Sequence, residues 1–332
     1  MSYTITLIPG DGIGPEVTGA TREVLAAAGA PIEWEIVHAG RRAFEEVGEP
    51  VPEAVFRSIR KNRVGLKGPL ETPKGKGFRS ANVTIRQTLE LYTGLRPVKS
   101  LPGISTPYRD VDIVVLRENT EDLYAGIEHE IMPGEVISLK VSTRSAGLRI
   151  AQWAFEFMRY TGRREIACCH KAGVSPLADG AFLDAFNEVG ADYPFIAQAN
   201  LPIDNLSMYL AMDPTRFDVL LLQNLYGDII SDLCAGLVGG LGVVPGANVG
   251  DKIAVFEAVH GTAPDIAGKG VANPLAVLMS GVMMLEHIGE RRIADRINGA
   301  IWAVLEERKH LTRDLGGKAD TAEFTAALID KL

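Results

Sequence analysis

Cysteine is scarce in this chain. Only Cys168, Cys169 and Cys234 occur in 332 residues, two of them adjacent, and none has metal-finger spacing. That set excludes a disulfide framework and points to reduced thiols. Positive charge is also in short supply. The 34 Lys and Arg against 42 Asp and Glu leave a net charge of −8, which excludes non-specific nucleic-acid binding, because that needs a basic face. No apolar run reaches the roughly 18–20 residues of a membrane-spanning helix, so no membrane partner is expected. Met1–Thr6 leads straight into an apolar run with no basic segment before it. With the thiols, this makes a cytoplasmic location the expectation. Internal repeats and low-complexity tails are absent too.

What is present is alternation. Tyr3–Ile8, Ile32–His38, Arg63–Leu66, Val111–Arg117, Glu165–His170 and Phe217–Leu222 read as strands. Between and after them, Pro15–Ala28, Val51–Lys61, Ala146–Thr161, Ile229–Leu237, Pro274–His287 and Arg291–Arg308 have helical spacing. Such alternation means an α/β protein with helices covering a largely parallel sheet, and the length suits two domains. Glycine and proline gather at Gly65–Gly77, Pro97–Pro107, Gly239–Gly250 and Gly261–Gly270. Loops of this kind at strand ends are where α/β enzymes keep their chemistry.

Several motifs carry candidate chemistry, each with a plainer alternative. Gly10-Asp11-Gly12-Ile13-Gly14-Pro15 follows a strand and opens a helix, but Pro15 stands where a dinucleotide fingerprint needs glycine. A tight strand–helix turn explains it equally. Asp228 and Asp232 are spaced i, i+4, so both leave one helix face. They are either a solvated face complementing the helix dipole or ligands for Mg²⁺ or Mn²⁺, which prefer oxygen. Arg79, Arg86, Arg96 and Arg117 fall in or beside loops of one stretch. Arginine forks suit a polycarboxylic acid, and single surface arginines are the alternative. Arg117 stands apart, because it caps a buried strand. Ser80, Asn82 and Arg86 could share a helix N-terminus, which also attracts anions. Lys171 emerges from a buried strand into a glycine turn, as a desolvated base or a snorkelling lysine. In His260–Gly268, Asp265 could accept hydrogen bonds from a ribose diol, favouring NAD over a 2′-phosphate.

Taken together, Gly10–Glu16, RSANVTIRQ (Arg79–Gln87), LRPV (Leu95–Val98), RENTEDLYAG (Arg117–Gly126), NLYGDIISDLCAGLVGGLG (Asn224–Gly242) and HGTAPDIAGKGVANP (His260–Pro274) closely resemble the isocitrate and isopropylmalate dehydrogenases. The match runs in order through nearly the whole chain, and within the family it looks most like the NAD-dependent isocitrate dehydrogenases. The resemblance implies a non-Rossmann α/β fold of two domains with an interdomain cleft. The large, cofactor-binding domain would comprise residues 1–98 and 239–332, and the small one 99–238, with a dimerising segment near 125–150. Active sites would be shared in a homodimer or dimer-based oligomer.

By position, the resemblance implies that Arg86, Arg96 and Arg117 hold substrate carboxylates, with Ser80 and Asn82 at the variable arm. Asp228, Asp232 and Asp204 of the partner subunit would bind Mg²⁺ or Mn²⁺. Tyr124 and the partner subunit's Lys171 would be the acid–base pair. Thr72, His260, Gly261, Thr262, Ala263, Asp265, Ile266 and Asn273 would hold NAD. The reaction so implied is oxidative decarboxylation of isocitrate. NADP-dependent relatives look to have Lys-Tyr in place of Asp265-Ile266, and isopropylmalate enzymes carry apolar residues in place of Ser80 and Asn82. Val174 and Pro176 resemble homoisocitrate enzymes and keep that substrate as an alternative. Gly173 departs from the family's usual asparagine. A non-catalytic regulatory subunit is the second class to weigh, yet such subunits tend to lose the tyrosine, lysine or aspartates retained here.

Overall fold

A computed structural model describes residues 2–72 and 79–332; Gly75 and Gly77 of the first glycine-rich stretch lie outside them. The strands are β1 (Tyr3–Ile8), β2 (Ile32–Ile36), β3 (Val64–Lys67), β4 (Thr93–Lys99), β5 (Asp112–Glu118), β6 (Asp122–Met132), β7 (Glu135–Val141), β8 (Glu165–His170), β9 (Ala197–Pro202), β10 (Val219–Leu222), β11 (Pro245–Val249) and β12 (Ala254–Ala258). The helices are α1 (Gly14–Ala27), α2 (Arg41–Val47), α3 (Glu53–Asn62), α4 (Ala81–Thr88), α5 (Arg144–Thr161), α6 (Ala178–Gly190), α7 (Ile203–Met212), α8 (Asn224–Val238), α9 (Leu275–His287), α10 (Arg291–Glu307) and α11 (Thr321–Ile329).

Ten strands form one sheet in the order β2-β1-β3-β12-β11-β4-β5-β10-β8-β9. The flanks are parallel, as expected, while β11 and β4 run antiparallel to their neighbours at its centre. Those central strands matter most for the site. Lys67 pairs with Glu257, Gly246 with Glu257, Asn248 with Gly94, and Gly94 with Arg117. Cross-strand partners share a face and side chains alternate along each strand. The register therefore sets Lys67, Glu257, Asn248, Arg96 and Arg117 on one face. Leu66, Phe256, Ala247, Leu95 and Leu116 face the other way into apolar core. The sheet centre is thus polar in front and apolar behind.

Two of the departures from the spacing of the sequence bear on the site. Helix α8 starts at Asn224, ahead of the expected Ile229, so Asn224–Gly227 is its first turn rather than a loop. Tertiary contacts override the turn-forming residues: Asn224 Nδ2 donates to the Glu121 carbonyl at 3.0 Å and its Oδ1 accepts from Arg117. The second departure is the β6–β7 hairpin, a separate two-stranded sheet. It exposes Ile127, Ile131, Val136 and Leu139. Lys140 anchors it through Asp179 (2.5 Å) and Gln223 (2.8 Å).

Candidate active site

Arg117 anchors the front of the sheet centre. It is 1 % exposed, and its Nε and Nη2 donate to Asn224 Oδ1 at 2.9 and 2.6 Å. Its Nη1 pairs with Asp228 Oδ1 in the first turns of α8. Gly227 permits this approach, since a Cβ there would stand 2.6 Å from Arg117 Cγ. Arg96 reaches the same helix, bonding Ser231 Oγ and lying 3.7 Å from both Asp228 and Asp232. Arg86 comes from α4, whose N-cap is Ser80, and pairs with Glu257 at 2.8 Å. Three of the four expected arginines therefore converge. Arg79 does not; it holds Gln87 and the Ala125 carbonyl at the surface.

Charges this close perturb one another. Burial, then Arg96 and Arg86, push the Arg117 guanidinium below its ordinary value. Burial works to raise the Asp228 carboxyl, but Arg117, the Tyr124 hydroxyl and Arg96 outweigh it and hold the carboxyl low. Asp232 has less help. Burial raises it, Arg96 pulls back only in part, and Asp228 adds to the rise. A cavity of about 120 Å³ opens beside the arginines, lined among others by Lys67, Asn82, Arg86, Arg96, Glu257 and His260. In its wall, Asn82 Oδ1, Arg86 Nε and His260 Nε2 are buried without a hydrogen-bond partner. Each such atom costs about 1–3 kcal/mol, so the wall is built to meet a polar ligand.

Tyr124 stands at the start of β6. Its hydroxyl donates to Asp228 Oδ2 at 2.5 Å, and its ring lies 4.8 Å from the Arg117 guanidinium carbon. Burial and then Asp228 push the phenol above its ordinary value. Lys171 and Asp204 form a second group, at the ends of β8 and β9. Lys171 Nζ donates to Asp204 Oδ1 at 2.6 Å, and its backbone N–H is held by the buried Asp179 at 2.7 Å. Neither touches Asp228 or Tyr124 within the chain. Among the described residues, no three His, Cys, Asp or Glu side chains converge as a metal centre. Open space surrounds the Gly173 position.

Six of the eight expected cofactor residues, His260, Gly261, Thr262, Ala263, Asp265 and Ile266, lie in one loop. Ile13 N–H donates to the Thr262 carbonyl at 3.0 Å, and a Cβ at Gly12, whose φ is +58°, would stand 2.1 Å from that oxygen. The glycine turn after β1 thus braces the His260–Gly268 loop. Its Asp11 carboxylate accepts from the backbone of Arg41 (2.9 Å) and Glu71 (2.8 Å), holding the chain toward Thr72. Gly261 and Asp265 are exposed, and Ala263 has a φ of +40°. Burial lowers the His260 ring below its ordinary value. Two side chains are already engaged: Thr72 Oγ1 accepts from Ala81 N–H at 3.0 Å, and Asn273 bridges Asp314 (2.8 Å) and Leu275 N–H (2.9 Å). Sequence reasoning did not find Lys67, Glu257, Asn248, Asn224 or Ser231. A signal existed for the first two: a single charge at or near the end of an otherwise apolar strand.

A family model described as isocitrate/isopropylmalate dehydrogenase matches residues 4–330. An Arabidopsis thaliana protein named as NAD isocitrate dehydrogenase catalytic subunit 5, mitochondrial, is 50 % identical over 330 residues, covering 99 % of this chain and 88 % of its own. A Dictyostelium discoideum protein named as a mitochondrial regulatory subunit of NAD isocitrate dehydrogenase is 47 % identical, covering 99 % and 91 %. The crystal structure of isocitrate dehydrogenase from Methylococcus capsulatus matches with a TM-score of 0.96 at 47 % identity, covering 99 % of both chains. These relatives correct one expectation. The Arabidopsis and Dictyostelium proteins are named as mitochondrial, which overturns the cytoplasmic location. Reduced thiols suit any reducing compartment and do not discriminate. A family match over nearly the whole length, on a sheet whose front gathers arginines against paired aspartates, settles the kinship: the chain belongs to the isocitrate/isopropylmalate dehydrogenase family.

Proposed function

We propose that this chain oxidises isocitrate with NAD and decarboxylates the product to 2-oxoglutarate and CO₂. The observation that carries the reading is the convergence of Arg86, Arg96 and Arg117 beside Tyr124, Asp228 and Asp232. A tricarboxylate needs several fixed cations, and buried guanidinium forks meet carboxylates without mobile counterions. Ser80 and Asn82, at the first turn of the helix that carries Arg86, contact the variable arm. The unpartnered Asn82 Oδ1 is a ready acceptor there.

Asp228 and Asp232 are one helical turn apart and suit an oxygen-preferring Mg²⁺ or Mn²⁺. Asp204 of the partner subunit would complete the set, since within one chain it sits with Lys171. When bound, the ion supplies Lewis-acid polarisation of the hydroxyl and its neighbouring carboxylate. The loop from His260 to Ile266, with Thr72 and Asn273, would hold NAD, whose nicotinamide supplies a hydride acceptor. The partner subunit's Lys171 takes the hydroxyl proton. After CO₂ leaves, Tyr124 returns a proton to the carbon that carried it. The exposed apolar hairpin β6–β7 supports a homodimer or dimer-based oligomer that brings Lys171 and Asp204 to the neighbouring site. The proposed domain division, 1–98 with 239–332 against 99–238, is supported by the sheet order, in which β1–β4, β11 and β12 lie on one side of the β4–β5 junction and β5 and β8–β10 on the other.

The test is kcat/KM for isocitrate, homoisocitrate and 3-isopropylmalate, each with NAD and NADP. Isocitrate with NAD is expected to win. A homoisocitrate preference of about tenfold, 1.4 kcal/mol in transition-state binding, would transfer the reading to that substrate. No isocitrate-dependent NADH with Mg²⁺ or Mn²⁺ would favour a regulatory subunit.

A further inference from the structure

We propose that Lys67 is a positioning residue: by competing for Glu257 it keeps Arg86 half free for the substrate. The inference rests on the proposed role of Arg86 as a carboxylate clamp. Glu257 is the hub of a buried polar group on the cleft side of the sheet. Its Oε2 pairs with Lys67 Nζ at 2.5 Å. Its Oε1 accepts from Arg86 Nη2 at 2.8 Å and from Asn248 Nδ2 at 2.6 Å. Lys67 and Glu257 side chains are only 3 % and 9 % exposed, so each leans on its partners within the cluster.

An unopposed arginine closes on a carboxylate as a two-pronged fork, using both oxygens. Here that closure is blocked. Lys67 holds one oxygen, anchored in turn by the Gly68 carbonyl at 2.9 Å, and Asn248 shares the other. Arg86 is left with one bond to Glu257, and its buried Nε has no partner. The charge balance acts in the same direction. Lys67 and Arg86 together exceed Glu257 by one positive charge, which remains for an anion in the cavity. Without Lys67, Glu257 would both cancel that charge and draw Arg86 into a closed fork.

The prediction is read in steady-state kinetics of the full-length enzyme, with isocitrate and NAD varied separately. Lys67→Met should raise KM for isocitrate by about tenfold or more, the scale of one charged hydrogen bond. The kcat and the KM for NAD should change much less. Adding Glu257→Gln should return KM for isocitrate toward the wild-type value, because Arg86 is then unopposed. A merely structural role gives the opposite pattern, a smaller active fraction at unchanged KM and a double variant worse than either single. Should Lys67→Met fail to fold, Lys67→Gln removes the charge while keeping a donor to Oε2, so it should raise KM for isocitrate through the lost charge alone, and Glu257→Gln should again reverse the rise. Wild-type enzyme inert toward isocitrate would sink the proposed function. Active wild type with an unchanged isocitrate KM in the Lys67 variants, or with NAD binding affected instead, would overturn this inference alone.

Discussion

The Tyr124 hydroxyl and the Asp228 carboxylate are joined at 2.5 Å, with the other oxygen of Asp228 held by Arg117. One carboxylate therefore links the proposed proton donor, a proposed substrate arginine and the proposed metal site. Burial and Asp228 keep the phenol above its ordinary value, so Tyr124 stays protonated at neutral pH and has a proton to give. Tyr124→Phe removes that proton while keeping the ring over Arg117. We expect kcat to fall about 10²–10⁴-fold, the usual weight of general acid catalysis, with the melting temperature nearly unchanged. A variant keeping a tenth of the wild-type kcat would remove Tyr124 from the proton-transfer role.

Much of this arrangement is legible in the sequence, and the legible parts share a cause. Elements with a strong period, such as α5, or a largely apolar run, such as α9 and β1, announce themselves. Arg117 is visible because a charge after four apolar residues has to be held by something. Lys67 and Glu257 carry the same kind of signal, but Lys67 precedes Gly68-Pro69 and reads as loop, while Glu257 reads as an interruption. Only the register, which pairs Lys67 with Glu257 across β3 and β12, turns two odd residues into one ion pair. The hairpin β6–β7 is hidden for a different reason. Its apolar side chains are exposed on the single chain, so no buried face imprints a period.

Two glycines of α8 make a matched test of that packing. Alanine at Gly227 would put Cβ 2.6 Å from Arg117 Cγ, whereas alanine at Gly236 meets nothing within 4 Å. Gly227→Ala forces α8 away from β5 and should cost about 1–3 kcal/mol together with most of the activity. Gly236→Ala fills an exposed helix position and should stabilise by about 0.5–1 kcal/mol without touching activity. Urea midpoints and specific activities measure both. Equal effects at the two positions would mean that the contact with Arg117 does not set the helix position.

Glu257 gives stability a defined pH dependence. Burial would raise its carboxyl, but Lys67 and Arg86 outweigh it and hold the group well below the usual carboxylate range. Such a group contributes fully above its unfolded value, about 4.3, and loses that contribution as pH falls toward the folded value. Glu257→Gln should therefore destabilise at pH 7 by roughly 3–5 kcal/mol, because Lys67 and Arg86 stay buried without their counterion. The penalty should shrink below about pH 4.5. Urea midpoints of both proteins between pH 7 and 3 test this, and curves that stay parallel below about pH 4 would show that Glu257 is not the titrating group.

The two aspartates of α8 differ in how much of each is free for a metal. Both Asp228 oxygens are engaged, by Arg117 and Tyr124, while among the described residues Asp232 has only Arg96 as an ion-pair partner, at 3.7 Å. The Asp232 side chain is also the more exposed, 53 % against 38 %. Asp232→Asn should thus remove an ion ligand while disturbing little of the fold, with stability within about 0.5 kcal/mol of wild type. The Mn²⁺ concentration for half-maximal activity should rise by about tenfold or more, 1.4 kcal/mol in binding. Excess chelator should abolish wild-type turnover, and added Mn²⁺ or Mg²⁺ should restore it. Chelated enzyme that still reduces NAD with isocitrate, or an Asp232→Asn variant with an unchanged Mn²⁺ requirement, would exclude the paired aspartates as the metal site and leave them as partners of the arginines alone.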